Sequence, residues 1–85
     1  MAKLHPEVAQ AAQDGFTSKD GTPNPSLYSS VMWEAYEIGQ HLAFMGLPVE
    51  GLEKSRGNQW RTRCGTVFRL NYGSSSAMRT IERVN

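Results

Sequence analysis

The chain has 85 residues, of which 39% are hydrophobic and 20% charged, a formal net charge of +1 and one cysteine. That length supports one modest core rather than two, and a lone Cys64 excludes an internal disulfide, as suits a reducing compartment. The first residues lack the charged and then apolar start of a secretory leader and no run is apolar enough to span a bilayer, so the expected setting is cytoplasmic and away from membranes.

The small net charge hides an uneven division. Residues 1–53 hold two basic and seven acidic side chains, whereas residues 54–85 hold seven basic side chains against Glu82. Either the basic half meets an anionic partner or the two halves pack together and neutralise each other.

Taken in order, residues 6–14 read as a short helix, with Pro6 in its first turn, Glu7 at the positive end of its dipole and Gly15 at its end. Val8, Ala11, Ala12 and Phe16 supply its apolar side. Residues 17–23 are turn chemistry throughout.

A long central helix is expected over 24–46, with Asn24 as N-cap, Pro25 at the first helical position and Gly46 followed by Pro48 as the stop. Tyr28, Val31, Met32, Ala35, Ile38, Gly39, Leu42 and Met45 recur at helical spacing. At about 1.5 Å per residue such a helix is roughly 33 Å long. A second apolar set, Leu27, Trp33, Tyr36 and Phe44, lies off that stripe. The helix is then either cradled on several sides by a sheet and the first helix, or it presents Trp33, Tyr36 and Phe44 as a contact patch. Ala35 and Gly39 would allow another backbone close, so this helix could also close a homodimer.

After Pro48 the period shifts toward two, and strands are expected near 49–54, 58–64, 66–72 and 77–84, the last with helix as an alternative. Gly57-Asn58, Cys64-Gly65 and residues 73–76 mark the breaks. Within 58–72, Trp60, Thr62, Cys64, Thr66, Phe68, Leu70 and Tyr72 share one parity; Gln59, Arg61, Arg63, Val67, Arg69 and Asn71 share the other. The first set should face the central helix and the second should face water. A two-residue turn at Cys64-Gly65 would pair Trp60 with Arg69 and scramble that division. A three-residue turn preserves it and is the expectation.

The fold class is therefore α+β, one domain over residues 1–85: a short N-terminal helix and a long central helix within 1–47, then a three- or four-stranded antiparallel sheet within 48–85, packed on the central helix.

Chemistry is sparse. His5, His41 and Cys64 lack metal-ligand spacing, and no phosphate-cradling glycine motif occurs. A nucleophile needs a base beside it, and a strand Cys64 with a distant His41 reads as packing, while Glu37 and His41 read as a surface pair. No cofactor, metal or catalytic residue is assigned, and the expectation is a protein that is not an enzyme.

The candidate site is basic. Arg61, Arg63 and Arg69 should project from one sheet surface, with Lys54 and Arg56 nearby and Arg79 and Arg83 on the neighbouring strand. The guanidinium fork suits carboxylate and phosphate alike. Because Trp60, Phe68 and Tyr72 are assigned to the opposite face, base stacking is disfavoured. The partner expected first is an acidic protein surface, met by a small regulator or inhibitor. RNA or DNA backbone is the second reading.

Asn24-Pro25, followed by Ala35-Tyr36-Glu37-Ile38-Gly39, resembles the N-P…A-W-x-x-G segment of ribosome modulation factor and related small proteins of bacteria and phages. Tyr36 stands where that segment has tryptophan, and Gln40 stands where an aromatic follows the glycine. The resemblance implies ribosome association, and the chain's size is similar to that of phage or mobile-element accessory proteins.

Overall fold

A computed structural model describes residues 4–18, 21, 29–55, 57, 59–72 and 79–84. Two helices, α1 (Pro6–Thr17) and α2 (Ser30–Met45), precede four strands, β1 (Glu53–Lys54), β2 (Gln59–Arg61), β3 (Val67–Tyr72) and β4 (Arg79–Arg83). The strands form one antiparallel meander in the order β1-β2-β3-β4, packed against the helices. The architecture is α+β, and β4 is a strand.

α1 begins as its composition dictates. Pro6 occupies the first turn, and His5 Nδ1 accepts from the Glu7 N–H at 3.2 Å. The helix does not stop at Gly15. It continues to Thr17, and Ser18 N–H closes it on the Asp14 carbonyl at 2.9 Å. Gly15 is a crossing residue instead: a Cβ there would lie 2.0 Å from the carbonyl oxygen of Tyr36. Gly39 makes the reciprocal contact, its own Cβ position falling 2.0 Å from the Ala12 carbonyl oxygen. Two glycines thus let α1 and α2 touch backbone to backbone, with Ala11, Ala12 and Ala35 buried beside them.

α2 is shorter than its apolar periodicity suggests, 16 residues or about 24 Å. Ser29 is the N-cap, extended at ψ 172° with its Oγ accepting from Met32 N–H. The expected cap at Asn24-Pro25, with Leu27 and Tyr28, lies outside the described residues. The stop is as expected. Gly46 adopts φ +73°, its N–H reaches the Ala43 carbonyl, and Leu47 N–H reaches that of Leu42, the paired bonds of a Schellman motif.

The first strand is reduced to two residues because Gly51 takes φ +76° inside a turn closed by Leu52 N–H on the Val49 carbonyl. Val49 and Leu52 remain buried as flanks of that turn. Gly57 has the positive φ expected of the first hairpin, while Arg56, Asn58 and the break at 73–76 lie outside the described residues.

The second hairpin settles the register. Thr62 N–H donates to the Thr66 carbonyl at 2.8 Å, Gly65 N–H returns to the Thr62 carbonyl at 3.0 Å, and Gly65 sits at φ +91°. Arg63, Cys64 and Gly65 therefore form a three-residue loop, and Trp60 pairs with Phe68. Trp60, Phe68 and Leu70 are fully buried, in one cluster with Ile38 and Leu42 of α2 and Val8 of α1. One residue fewer in the loop would have carried Arg69 to that interior position.

Candidate docking surface

Antiparallel register places opposed residues on one side of the sheet. On the side away from the helices, Glu53 faces Arg61, Gln59 faces Arg69, and Arg69 faces Glu82, with Asn71 beside Thr80. Arg61 and Arg63 are exposed, Arg69 half-buried. Arg61 and Arg69 lie on this face as foreseen, Arg63 adjoins it from the hairpin loop rather than from the strand, and each of the three has a carboxylate near it.

The pairings differ in kind. Arg69 gives both Nε, at 3.0 Å, and Nη2 to Glu82 Oε1. The arginine hydrogen bond, then one from Asn71, holds the Glu82 carboxyl below its ordinary value of 4.5. Arg63 lies 3.8 Å from Glu50 with both side chains at least 70% exposed, a loose pair that contributes little. Arg61 and Glu53 are set opposite each other by the ladder. Between the 50–53 turn and the 62–65 loop these groups border an open polar depression of about 630 Å³.

Lys54 does not join this surface. It pairs with Trp60, on the helix-covered side, where its Nζ is 5.5 Å from the Trp60 ring centroid and 4.0 Å from Glu34 Oε1 on α2. Arg83 faces Phe68, and Arg79 faces Tyr72, so the β4 arginines do not share the parity of Arg61 and Arg69. Arg56 lies outside the described residues. Among the described arginines, Arg61 and Arg69 share one face of the pleat, and Arg63 stands in the hairpin loop beside Arg61 at the rim of the same depression.

The same contacts answer the charge division. Glu34–Lys54, Glu50–Arg63 and Glu53 opposite Arg61 each join the acidic half to the basic half. Local sequence could not reveal those partners, which lie up to 20 positions apart in the chain.

The aromatic patch is divided as well. Trp33 is half-buried and donates its indole N–H to Glu37 at 3.1 Å. Tyr36 is buried at 6% exposure, whereas Phe44 is 85% exposed. The small-residue face offered for a second chain is occupied by α1. Ala35, Tyr36, Ile38 and Gly39, which carry the resemblance noted above, are all buried. Gln40, at the position where an aromatic would follow, holds the connection between the helices, its amide donating to the carbonyls of Ser18 at 3.1 Å and Gly21 at 2.6 Å.

His41 turns inward rather than pairing on the surface. Its ring meets Phe68 edge-on at 5.1 Å, and burial lowers its pKa. Cys64, expected on the packed side, is exposed in the hairpin loop because the three-residue turn takes it out of the pleat. Thr62 Oγ1 lies 3.1 Å and Thr66 Oγ1 3.6 Å from its sulfur. Hydrogen bonds from those hydroxyls, Thr62 first, bring the thiol down to about 7. Alkylation by iodoacetamide should therefore follow a titration centred near pH 7. Replacing Thr62 with valine should move that midpoint upward, and an unchanged midpoint would show that the hydroxyl is not the cause.

Among the described residues no cluster of three or more His, Cys, Asp or Glu is arranged to hold a metal, and no helix is long and apolar enough to cross a membrane. Compared with protein-family models, curated proteins and solved structures, the chain matches none.

Proposed function

We propose that this chain is a non-enzymatic binding protein, a small cytoplasmic regulator or inhibitor of the phage-accessory kind, that docks the helix-free face of its sheet on an acidic patch of a partner protein. The observation that carries this reading is the alternation of charge on that face. Arg61 and Arg63 reach into solvent while Glu50, Glu53 and Glu82 stand between and beside the arginines. Such a mosaic suits an acidic patch whose carboxylates are spaced to meet Arg61 and Arg63 and to leave gaps opposite the glutamates. A nucleic-acid backbone is uniformly negative and would meet three carboxylates along with the guanidinium groups. Arg69 is engaged by Glu82, and Arg61 and Arg63 supply the exposed contacts.

A pull-down from nuclease-treated lysate tests the choice. The wild-type chain should retain a defined protein through the nuclease step, and Arg61→Glu, still folded by circular dichroism, should lose it. Recovery that vanishes with nuclease, together with oligonucleotide affinity falling steeply as salt rises, would replace this reading with backbone or ribosome binding.

A further inference from the structure

The sheet ends on β4, and one bond fixes where the backbone groups of that strand point. Val84 N–H donates to the Val67 carbonyl at 2.8 Å, continuing a ladder in which Glu82 faces Arg69 and Thr80 faces Asn71. Along an antiparallel strand, alternate residues address the same neighbour. Val84, Glu82 and Thr80 therefore direct N–H and C=O at β3. Ile81, between Arg79 and Arg83, directs its own away from β3, along the outer edge of the sheet. Among the described residues no strand lies beyond that edge. The opposite edge, β1, is only two residues long, too short to recruit a strand, whereas β4 has five.

We propose that the outer edge of β4 is a strand-addition site for an extended acidic segment of another protein. Main-chain bonds at Ile81 and its odd-numbered neighbours would give affinity, and the flanking side chains would set the choice of partner. The sign of charge follows from the ladder positions either side of Ile81, both arginine. A second copy pairing antiparallel about Ile81 would set Arg79 against Arg83 at both ends, a like-charge arrangement that disfavours self-pairing. An incoming strand with two carboxylates flanking an apolar residue would be in register with an arginine position at each end and with the partly buried Ile81 at the centre. A guanidinium carries five N–H donors, so it serves an added carboxylate beside one already bound. This contact uses the edge of the sheet and does not require the outer-face docking proposed above.

The probe is a capped seven-residue peptide alternating threonine with glutamate, valine and glutamate, titrated into the full chain and read by amide hydrogen exchange. At ten times its Kd the peptide should slow exchange of the Ile81 amide about tenfold. Thr80 and Glu82, whose amides already face β3, should hardly change. The same peptide with lysine for glutamate should not bind. Arg83→Pro removes a donor that points away from β3 and so leaves the β3 ladder intact; it should abolish binding. Should that variant fold poorly, Arg83→Glu should weaken the acidic peptide and favour the lysine one. An Ile81 amide unaffected at millimolar peptide, equal binding of the lysine peptide, or undiminished binding by folded Arg83→Pro would overturn the proposal. Protection at Ile81 that grows with protein concentration alone would assign the edge to a second copy instead.

Discussion

Gly39→Ala should destabilise the fold by about 3 kcal/mol, at the upper end of typical overpacking costs. The sign is what makes this informative. In an open helix the same change would help, since alanine is favoured over glycine by about 0.8–1.0 kcal/mol. Here the added methyl would lie 2.0 Å from the Ala12 carbonyl oxygen and 3.0 Å from the Phe16 nitrogen. Neither is the end of a flexible side chain, so α1 and α2 must separate, and the buried faces of Val8, Ala11, Ile38 and Leu42 lose contact with them. For a domain of this size a loss of 3 kcal/mol lowers the melting temperature by about 12 °C or more. Gly15→Ala strikes the same crossing from the other side, against Tyr36. Once the helices have parted for one methyl, the second finds room, so the double variant should lose less than the sum of the singles. Thermal melts of the three variants decide the matter. A Gly39→Ala chain more stable than wild type would mean that α1 does not lie on this face, and would return the small-residue stripe to a second chain.

That crossing also shows where the sequence was readable and where it was not. Period-two alternation over 58–72 was enough to assign Trp60, Phe68 and Leu70 to the interior, because one pleat has only two sides and a three-residue loop preserves them. The stop at Gly46 was equally legible, since its chemistry is local. Gly15 was misread as a terminator because glycine has two uses that look alike in sequence, ending a helix and admitting a neighbour, and only the tertiary contact with Tyr36 separates them. Cys64 was misplaced for a related reason. Parity carries through a strand, and the hairpin loop leaves the pleat between Thr62 and Thr66. The candidate surface was half legible: parity put Arg61 and Arg69 on one side of the pleat, but Arg63 lies in the hairpin loop with Cys64, and the opposed glutamates come from a turn, from β1 and from β4. The registers of β1 on β2 and of β4 on β3, which the alternation over 58–72 does not encode, decide that a basic stripe becomes a mosaic.

Trp60→Ala should cost about 3–5 kcal/mol, as expected for removing a fully buried large aromatic and leaving a cavity among Ile38, Leu42 and Phe68. A domain of 85 residues commands roughly 4–13 kcal/mol in all, so this variant stands near the limit of folding. Trp60→Phe separates the two things the indole does. It fills the centre of the core, and it carries an Nε1–H that is buried without a hydrogen-bond partner among the described residues. A buried donor left unmet costs about 1–3 kcal/mol, a penalty that phenylalanine removes. The lost ring volume and the weaker attraction to the Lys54 ammonium, 5.5 Å from the ring centroid, act in the opposite direction. The balance should leave Trp60→Phe within about 1 kcal/mol of wild type, far from the alanine variant. Urea denaturation of both variants gives the comparison directly. If phenylalanine proves nearly as damaging as alanine, the indole N–H is bonded in solution, to an acceptor beyond those the described residues supply.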